Sequence, residues 1–155
     1  MRFEKITKEE ADNAYFECSC RSDTWRDLHD LELPTRSTEG SAGYDFHCPY
    51  RIKAKKGSVV RVPLLVRVVE MPKNVVLLVF NRSSLSLIKG LRLDNAVAVI
   101  DRDFDKCIWF QATATEDIEL RKGDKICQGI FVPFLLVDGD DAKGKRDGGF
   151  GSTGR

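Results

Sequence analysis

The 155-residue sequence has neither a long hydrophobic run nor a marked excess of charge of one sign. No stretch approaches the roughly 20 consecutive apolar residues of a transmembrane helix, and the residues after Met1 do not form a secretory signal. We therefore expect a cytoplasmic protein with no membrane partner. Lys and Arg number 25 against 24 Asp and Glu. Because duplex-DNA binders normally carry a basic excess, we expect no nucleic-acid partner, although a local cation cluster could bind a small anion.

The cysteine and histidine patterns of metal sites are also missing. The sequence has five cysteines and two histidines, and none of the cysteines forms a CxxC pair. Cys18 and Cys20 are too close together for a usual zinc knuckle. Cys107 and Cys127 lie in apolar runs, where a free thiol packs like a small hydrophobic residue. We predict reduced, packed thiols rather than a zinc site.

The segments of the sequence with the clearest secondary-structure signal are strand candidates. No helix-length periodic segments lie between them, which argues against βαβ units. Runs rich in β-branched and aromatic residues occur at residues 59–69, 75–80, 96–100, 108–113 and 126–132. The pattern predicts an all-β protein, a mostly antiparallel sandwich or barrel. Pro63 lies inside the first run, so that strand is predicted to be an edge or to carry a bulge.

The N-terminal segment differs from the rest of the chain. Residues 3–6 predict a first strand, and Thr7 with Glu10 resembles a capping box for a short helix over residues 8–20. Trp25, Leu28 and Leu31 are consistent either with a further helical turn or with a packed loop.

The C-terminal segment, residues 138–155, contains six of the 12 glycines and no Val, Ile, Leu or Met. It has little apolar surface to bury, so we expect it to be mobile when nothing is bound. A solvated tail explains this composition. The segment also suits a lid over a nucleotide, because glycine backbone N–H groups and the hydroxyls of Ser152 and Thr153 can bind phosphate, and Phe150 can stack on a base.

Two polar clusters interrupt the strand pattern in the first half of the chain. Asp45 follows the Gly-rich residues 40–43, where a carboxylate that binds nearby backbone is an ordinary turn feature. Arg82, Ser83 and Ser84 follow an apolar strand candidate. A cation followed by hydroxyls can bind a phosphate, and a serine can equally cap a helix.

Two more clusters follow in the second half. The Asn95 amide could read the edge of a nucleobase. Asp101 ends a nearly continuous apolar run, where desolvation would make its carboxylate a better base, although an Asp at the end of a strand is also commonplace. Gln128 falls in the middle of a strand candidate, where an amide usually needs a hydrogen-bond partner.

Taken in order, the clusters resemble the five motifs of the trimeric deoxyuridine triphosphate nucleotidohydrolase (dUTPase) family, over residues 33–155. The matching segments are residues 42–45 (AGYD), 82–84 (RSS), 95–104 (NAVAVIDRDF), 123–128 (GDKICQ) and 149–154 (GFGSTG). Ala98 stands where the family usually has Gly, and Asp105 and Lys106 replace a turn that usually ends in Gly. The first 32 residues have no clear counterpart.

The resemblance implies a single domain of the jelly-roll-like β-clip fold, a distorted antiparallel barrel. Residues 1–32 would form a first strand and a short helical insertion, residues 33–137 the β core, and residues 138–155 a flexible glycine-rich lid. It also implies a homotrimer whose three active sites are shared between subunits. The reaction would be hydrolysis of dUTP to dUMP and pyrophosphate, with Mg²⁺ held by the triphosphate and waters. Such an enzyme limits uracil incorporation into DNA and supplies dUMP for dTMP synthesis.

The resemblance also implies a role for each matching residue. Asp101 would be the general base that activates the attacking water, and Ser83 and Gln128 would contact phosphate oxygens and help to place that water. Asn95 would read uracil, and Phe104, where the family usually has Tyr, would lie under the deoxyribose. The remaining site residues would support the site or bind substrate: Asp45, Arg82, Ser84, Phe150, Gly151, Ser152 and Thr153.

The resemblance also implies a cation that reaches the γ-phosphate, which would be either Lys145 or Arg146. We favour Arg146, because a guanidinium can bind phosphate through two hydrogen bonds. Two other functions compete with dUTP hydrolysis, namely deamination of dCTP by a related fold and nucleotide sensing without catalysis. A purely structural β-sandwich would leave the five polar clusters unexplained.

Overall fold

The computed structural model describes residues 1–18, 31–87, 90–144 and 146. These residues form twelve β-strands and two short helices, neither of which is long and apolar enough to cross a membrane. In chain order the elements are β1 (Arg2–Lys5), α1 (Lys8–Glu17), β2 (Thr35–Arg36), β3 (Tyr44–His47), β4 (Ile52–Ala54), β5 (Val59–Pro63), β6 (Val66–Val69), β7 (Val75–Asn81), α2 (Ser83–Leu87), β8 (Leu91–Leu93), β9 (Val97–Ile100), β10 (Trp109–Ala114), β11 (Ile118–Leu120) and β12 (Lys125–Pro133).

The largest sheet contains five strands in the order β2-β3-β12-β7-β9. Its central strand β12 pairs antiparallel with β3 on one side and with β7 on the other. A three-stranded sheet (β5-β10-β8) and two pairs (β1-β6 and β4-β11) complete the described strands. The chain has the predicted jelly-roll-like β fold, although the described strands do not close into one barrel.

The core is built by alternation along the strands. In β10, Phe110, Ala112 and Ala114 are buried, whereas Gln111 is exposed, the pattern of a half-buried strand. At the centre of the large sheet, a Cβ on Gly129 would lie only 2.7 Å from Cδ1 of Leu77. The glycine therefore lets the strand approach the core more closely than a larger residue would.

The predicted strand over residues 59–69 is wrong as a single element, because it is divided into β5 and β6. The division falls at Leu65, which has a φ of 59° and accepts a hydrogen bond from the Ile6 N–H at 3.1 Å. Pro63 ends β5, which is an edge strand, as predicted. The strand predicted from residue 96 begins at Val97, because Ala96 lies in a turn with a φ of 56°.

The N-terminal segment forms the predicted strand and helix. The Thr7 hydroxyl accepts from the Glu10 N–H at 3.2 Å, and the Glu10 carboxylate accepts from the Thr7 N–H at 2.7 Å, so the capping box is confirmed. Cys18 is extended, so α1 ends at Glu17 and the predicted limit at residue 20 is wrong. Of the residues proposed for a further helical turn, Leu31 is buried, and Trp25 and Leu28 lie outside the described residues.

Four cysteines are free thiols buried in the core: Cys18, Cys48, Cys107 and Cys127. Burial raises the pKa of the Cys107 thiol to about 12, and burial likewise raises the pKa of Cys127. The prediction of reduced, packed thiols is confirmed for these four, and Cys20 lies outside the described residues.

Candidate active site

The Asp45 carboxylate joins three distant parts of the sequence. One of its oxygens, Oδ1, lies 3.0 Å from Nε of Arg82. The other, Oδ2, accepts hydrogen bonds from Lys125 Nζ at 2.8 Å and from Ser37 Oγ at 2.7 Å. We call Ser37, Asp45, Arg82 and Lys125 the Asp45 cluster. It brings segments 42–45, 82–84 and 123–128 together within one chain.

Asp45 is ionised although it is only 5% exposed. Burial alone raises the pKa of a carboxyl group. Here the hydrogen bonds from Lys125 and Ser37 and the positive charges of Arg82 and Lys125 outweigh burial and hold the pKa of Asp45 below its usual value. The carboxylate in turn fixes the direction of both cations, which remain 29% and 36% exposed at their side chains.

Gln128 lies beside this cluster, because it is paired with Asp45 across β3 and with Phe80 across β7. Its side chain packs against Gly43, where a Cβ would lie 2.7 Å from Oε1 of Gln128. Its Nε2 donates a long hydrogen bond of 3.4 Å to the Asn81 carbonyl. The amide predicted to need a partner therefore lies between segment 42–45 and Asn81, the residue before segment 82–84.

Ser83 and Ser84 are exposed at the start of α2, directly after Arg82. The helix begins at Ser83, and the Arg82 carbonyl accepts the Leu85 N–H at 3.0 Å. The two serines therefore directly follow the arginine of the Asp45 cluster, on the exposed first turn of the helix.

A second group of site residues lies on the turn 101–104, which we call the acidic turn. The Phe104 N–H donates to the Asp101 carbonyl at 3.1 Å and closes it. Arg102 anchors the turn from outside, since its Nε donates to the Met71 carbonyl at 3.0 Å. Asp101 keeps 47% of its side-chain surface exposed, so its carboxylate is accessible from solvent.

Arg146 binds the acidic turn of its own chain. Its Nη2 contacts Asp101 Oδ2, and its Nε donates to Asp103 Oδ1 at 2.9 Å. The guanidinium carbon also lies 5.9 Å from the centre of the Phe104 ring. The hydrogen bond to Asp103 raises the pKa of Arg146 despite partial burial, and both carboxylate charges add to this effect.

Comparison with known proteins identifies the family of the chain. A sequence model of the dUTPase family matches residues 29–154. The chain belongs to the dUTPase family. It is 37% identical over 134 residues to the deoxyuridine 5′-triphosphate nucleotidohydrolase of Lactococcus lactis subsp. lactis, an alignment that covers 80% of this chain and 89% of the relative.

Solved dUTPase structures share the fold. The crystal structure of dUTPase from Streptococcus mutans superimposes with a TM-score of 0.68 at 33% identity, covering 90% of this chain and all of that one (100%). The dUTPase of Staphylococcus bacteriophage 80α, solved with dUpNHpp, gives a TM-score of 0.64 over 81% of this chain and 93% of its own. At 18% identity, this second likeness concerns the fold alone.

In this dUTPase-family chain the two groups of site residues lie at opposite ends of β7. Arg82 follows the last residue of β7, whereas Asp101 follows Ile100, which pairs with Leu77 near the beginning of that strand. The five residue steps from Leu77 to Arg82 correspond to roughly 16 Å along the strand. A single chain therefore keeps Asp101 well away from the Asp45 cluster.

The other predicted site residues are distributed as follows. Asn95 is exposed in the turn between β8 and β9, and Phe104 is partly buried against the core. Lys145, Phe150, Gly151, Ser152 and Thr153 lie outside the described residues.

The contributions of Ser37, Lys125 and Arg102 were not predicted from the sequence. A lysine flanking a buried strand segment signals a need for a counter-ion, which could have drawn attention to Lys125. We find no comparable sequence signal for Ser37 or Arg102.

Proposed function

We propose that this chain hydrolyses dUTP to dUMP and pyrophosphate. The observation that carries the proposal is the convergence of three motif segments on Asp45, whose partner Arg82 directly precedes the exposed Ser83 and Ser84. This arrangement provides oriented cations and hydroxyls for a triphosphate. Family membership and the name of the Lactococcus relative support the same reaction.

Asp101 is the proposed general base. In the reaction, the water oxygen forms a bond to the α-phosphorus, the bond from that phosphorus to the oxygen bridging to the β-phosphorus breaks, and pyrophosphate leaves with the electron pair. The Asp101 carboxylate takes the proton of the water. Its 47% side-chain exposure leaves room for that water. Arg146 has to move off the carboxylate oxygen before the proton can be accepted there.

Arg82, Ser83, Ser84 and Gln128 form the proposed phosphate side of the site. Arg82 is held at Nε by Asp45 while its side chain stays 29% exposed, so its direction is set before substrate arrives. Positioning and charge neutralisation are the main contributions a protein makes to phosphoryl transfer. Gln128, which packs against Gly43, would orient a water or a phosphate oxygen.

Asn95 and Phe104 form the proposed nucleoside side. Asn95 presents an amide that can donate and accept on the edge of uracil. The partly buried Phe104 ring would lie under the deoxyribose and reject a ribose 2′-hydroxyl by crowding. Phe150 would stack on the base, while Gly151, Ser152, Thr153 and Arg146 would close over the phosphates.

We further propose a homotrimer with shared sites. The separation of Asp101 from the Asp45 cluster along β7 supports a site in which the two groups come from different chains. An exposed apolar run at residues 134–137, in which Leu135 is 95% and Val137 80% exposed, is suited to burial against another copy. Residues 1–155 would then act as one domain, with residues 138–155 as the lid.

Mg²⁺ is the cofactor we propose, held by the triphosphate and waters. No direct protein ligand is proposed, because Mg²⁺ usually keeps several waters and binds beside substrate phosphates through their oxygens. When bound, the ion would neutralise charge that develops on the phosphate oxygens.

Product analysis with dUTP, dTTP, dCTP and UTP in the presence of Mg²⁺ tests the reaction, the base and the sugar together. We expect pyrophosphate and a nucleoside monophosphate from dUTP alone. Ammonia release from dCTP would instead indicate the related deaminase activity. Binding of dUTP without turnover would indicate a nucleotide sensor.

A further inference from the structure

Asp94, the residue before Asn95, is fastened to the neighbouring strand β10 by three hydrogen bonds. Its N–H donates to the Gln111 carbonyl at 3.1 Å. Its carboxylate accepts from Gln111 Nε2 at 3.2 Å through Oδ2 and from Thr113 Oγ1 at 2.6 Å through Oδ1. Gln111 and Thr113 are two residues apart and share one face of the strand, so each donates a hydrogen bond to one oxygen of the same carboxylate.

The turn that Asp94 begins contains two backbone hydrogen bonds of its own. The Ala96 N–H donates to the Leu93 carbonyl at a long 3.4 Å, and the Val97 N–H donates to the Asn95 carbonyl at 2.5 Å in a tight three-residue turn. Ala96 has a φ of 56°, a left-handed conformation that residues other than glycine rarely adopt. Such a conformation persists when surrounding contacts impose it, and the contacts of Asp94 lie next to it.

The position of this turn matters because of what Asn95 is proposed to read. An amide side chain carries both a donor and an acceptor end, so by itself it can satisfy either the O4 acceptor of uracil or the N4 amino donor of cytosine. Selectivity therefore requires that the backbone around Asn95 be held in one place while the base is bound.

We infer that Asp94 is a positioning residue for base recognition, which holds the Asn95 turn against β10 through Gln111 and Thr113. The inference rests on the proposed function, since it concerns how that site tells uracil from cytosine. Asp94 does not touch substrate in this account. Its charge strengthens both side-chain hydrogen bonds, because a carboxylate is a stronger acceptor than a neutral group.

The test compares the wild type with Asp94→Ala and Thr113→Val, using steady-state kinetics on dUTP and dCTP. For Asp94→Ala we expect KM for dUTP to rise about fivefold, with kcat within about twofold, and the preference for dUTP over dCTP to fall about tenfold. Thr113→Val removes one of the two side-chain bonds and should shift the same quantities less. Asp94→Asn, which keeps an acceptor for Thr113, should restore part of the preference.

Thr115→Val is the matched control, because Thr115 Oγ1 donates to the Gly90 carbonyl at 2.9 Å, away from the Asn95 turn. It should leave KM and base preference unchanged.

A merely structural role for Asp94 would lower the melting temperature of Asp94→Ala without changing KM or base preference, and that result would overturn the inference. If Asp94→Ala does not fold, unchanged parameters in both Thr113→Val and Asp94→Asn would overturn it. A wild-type chain that fails to hydrolyse dUTP would refute the proposed function itself, whereas an active wild type with unaltered variants would refute only the role of Asp94.

Discussion

The Arg146 guanidinium lies on the Asp101 carboxylate of the same chain and also binds Asp103. A cation from the glycine-rich segment thus forms an ion pair with the carboxylate that we propose as general base. The favoured phosphate-binding role of Arg146 competes with this contact, because both draw on the N–H donors of one guanidinium. Substrate would exchange the carboxylate for a phosphate as the partner of the guanidinium, and so release the base.

Asp101 and Asp103 provide a matched pair for testing the base. Both bind Arg146 from the same turn, but only Asp101 is proposed to take a proton. We expect Asp101→Asn to lower kcat by about a thousandfold, because general-base assistance is lost, while dUTP binding persists. Asp103→Asn should keep kcat within about tenfold of the wild type. Comparable losses in both variants, measured by pyrophosphate release, would remove the special role of Asp101.

Arg146→Ala should lower kcat/KM for dUTP by about tenfold or more, since a charged hydrogen-bond donor to phosphate is lost. Arg51→Ala is the control. Arg51 grips the Glu119 carboxylate through Nε and Nη2, at 2.8 and 2.5 Å, on another part of the surface. Equal kinetics for Arg146→Ala and the wild type would show that Arg146 serves the acidic turn alone.

The free energy of unfolding at acidic pH tests whether the charge of Asp45 stabilises the Asp45 cluster. Its pKa in the folded state is lower than in the unfolded chain, where a value of about 3.9 is usual. Its contribution to the free energy of unfolding is therefore fully present above the unfolded pKa and is lost as the pH falls through the folded pKa.

Asp45→Asn should lower the free energy of unfolding at pH 7 by about 2 kcal/mol, because two partly buried cations lose their counter-ion. The difference between variant and wild type should shrink below about pH 4, as the wild-type carboxylate takes up its proton. Urea unfolding between pH 3 and 7 measures this. A difference that stays constant with pH would show that the charge of Asp45 does not stabilise the fold.

Gly43→Ala tests the placement of Gln128. The new methyl group would lie 2.7 Å from Gln128 Oε1, the end of a flexible side chain. We expect that side chain to turn away, so that kcat falls about tenfold with little loss of stability. Gly40→Ala, where nothing lies within 4 Å of the new Cβ, should match the wild type. An unchanged kcat in Gly43→Ala would mean that catalysis does not depend on the orientation of the Gln128 side chain.

The sequence predicts most of the β-strands and the first helix because their signals are local. β-Branched runs between turn residues locate the strands, and Thr7 with Glu10 locates the start of α1. The break at Leu65 carries no such signal, since Leu64 and Leu65 continue an apolar run. Its left-handed backbone accompanies a hydrogen bond to Ile6, some sixty residues away in the chain.

The candidate site is less predictable because its contacts are long-range. Motif residues such as Asp45 and Arg82 are recognisable in sequence, but their pairing is visible only in the folded chain. Ser37 and Lys125 both bind the Asp45 carboxylate, although they lie 88 residues apart in the sequence. The separation of Asp101 from Arg82 depends on the register of β7 with β9, which composition does not specify.

The central claim is that each active site combines Asp101 of one chain with the Asp45 cluster and Gln128 of another. The most direct measurement is the dUTPase activity of trimers formed by refolding Asp101→Asn and Gln128→Ala chains together in equal amounts, compared with each variant alone. Shared sites predict recovery of about a quarter of wild-type activity, because one site in four then combines two intact halves. If the mixture shows only the average of the two separate variants, each site lies within one chain and the account is contradicted.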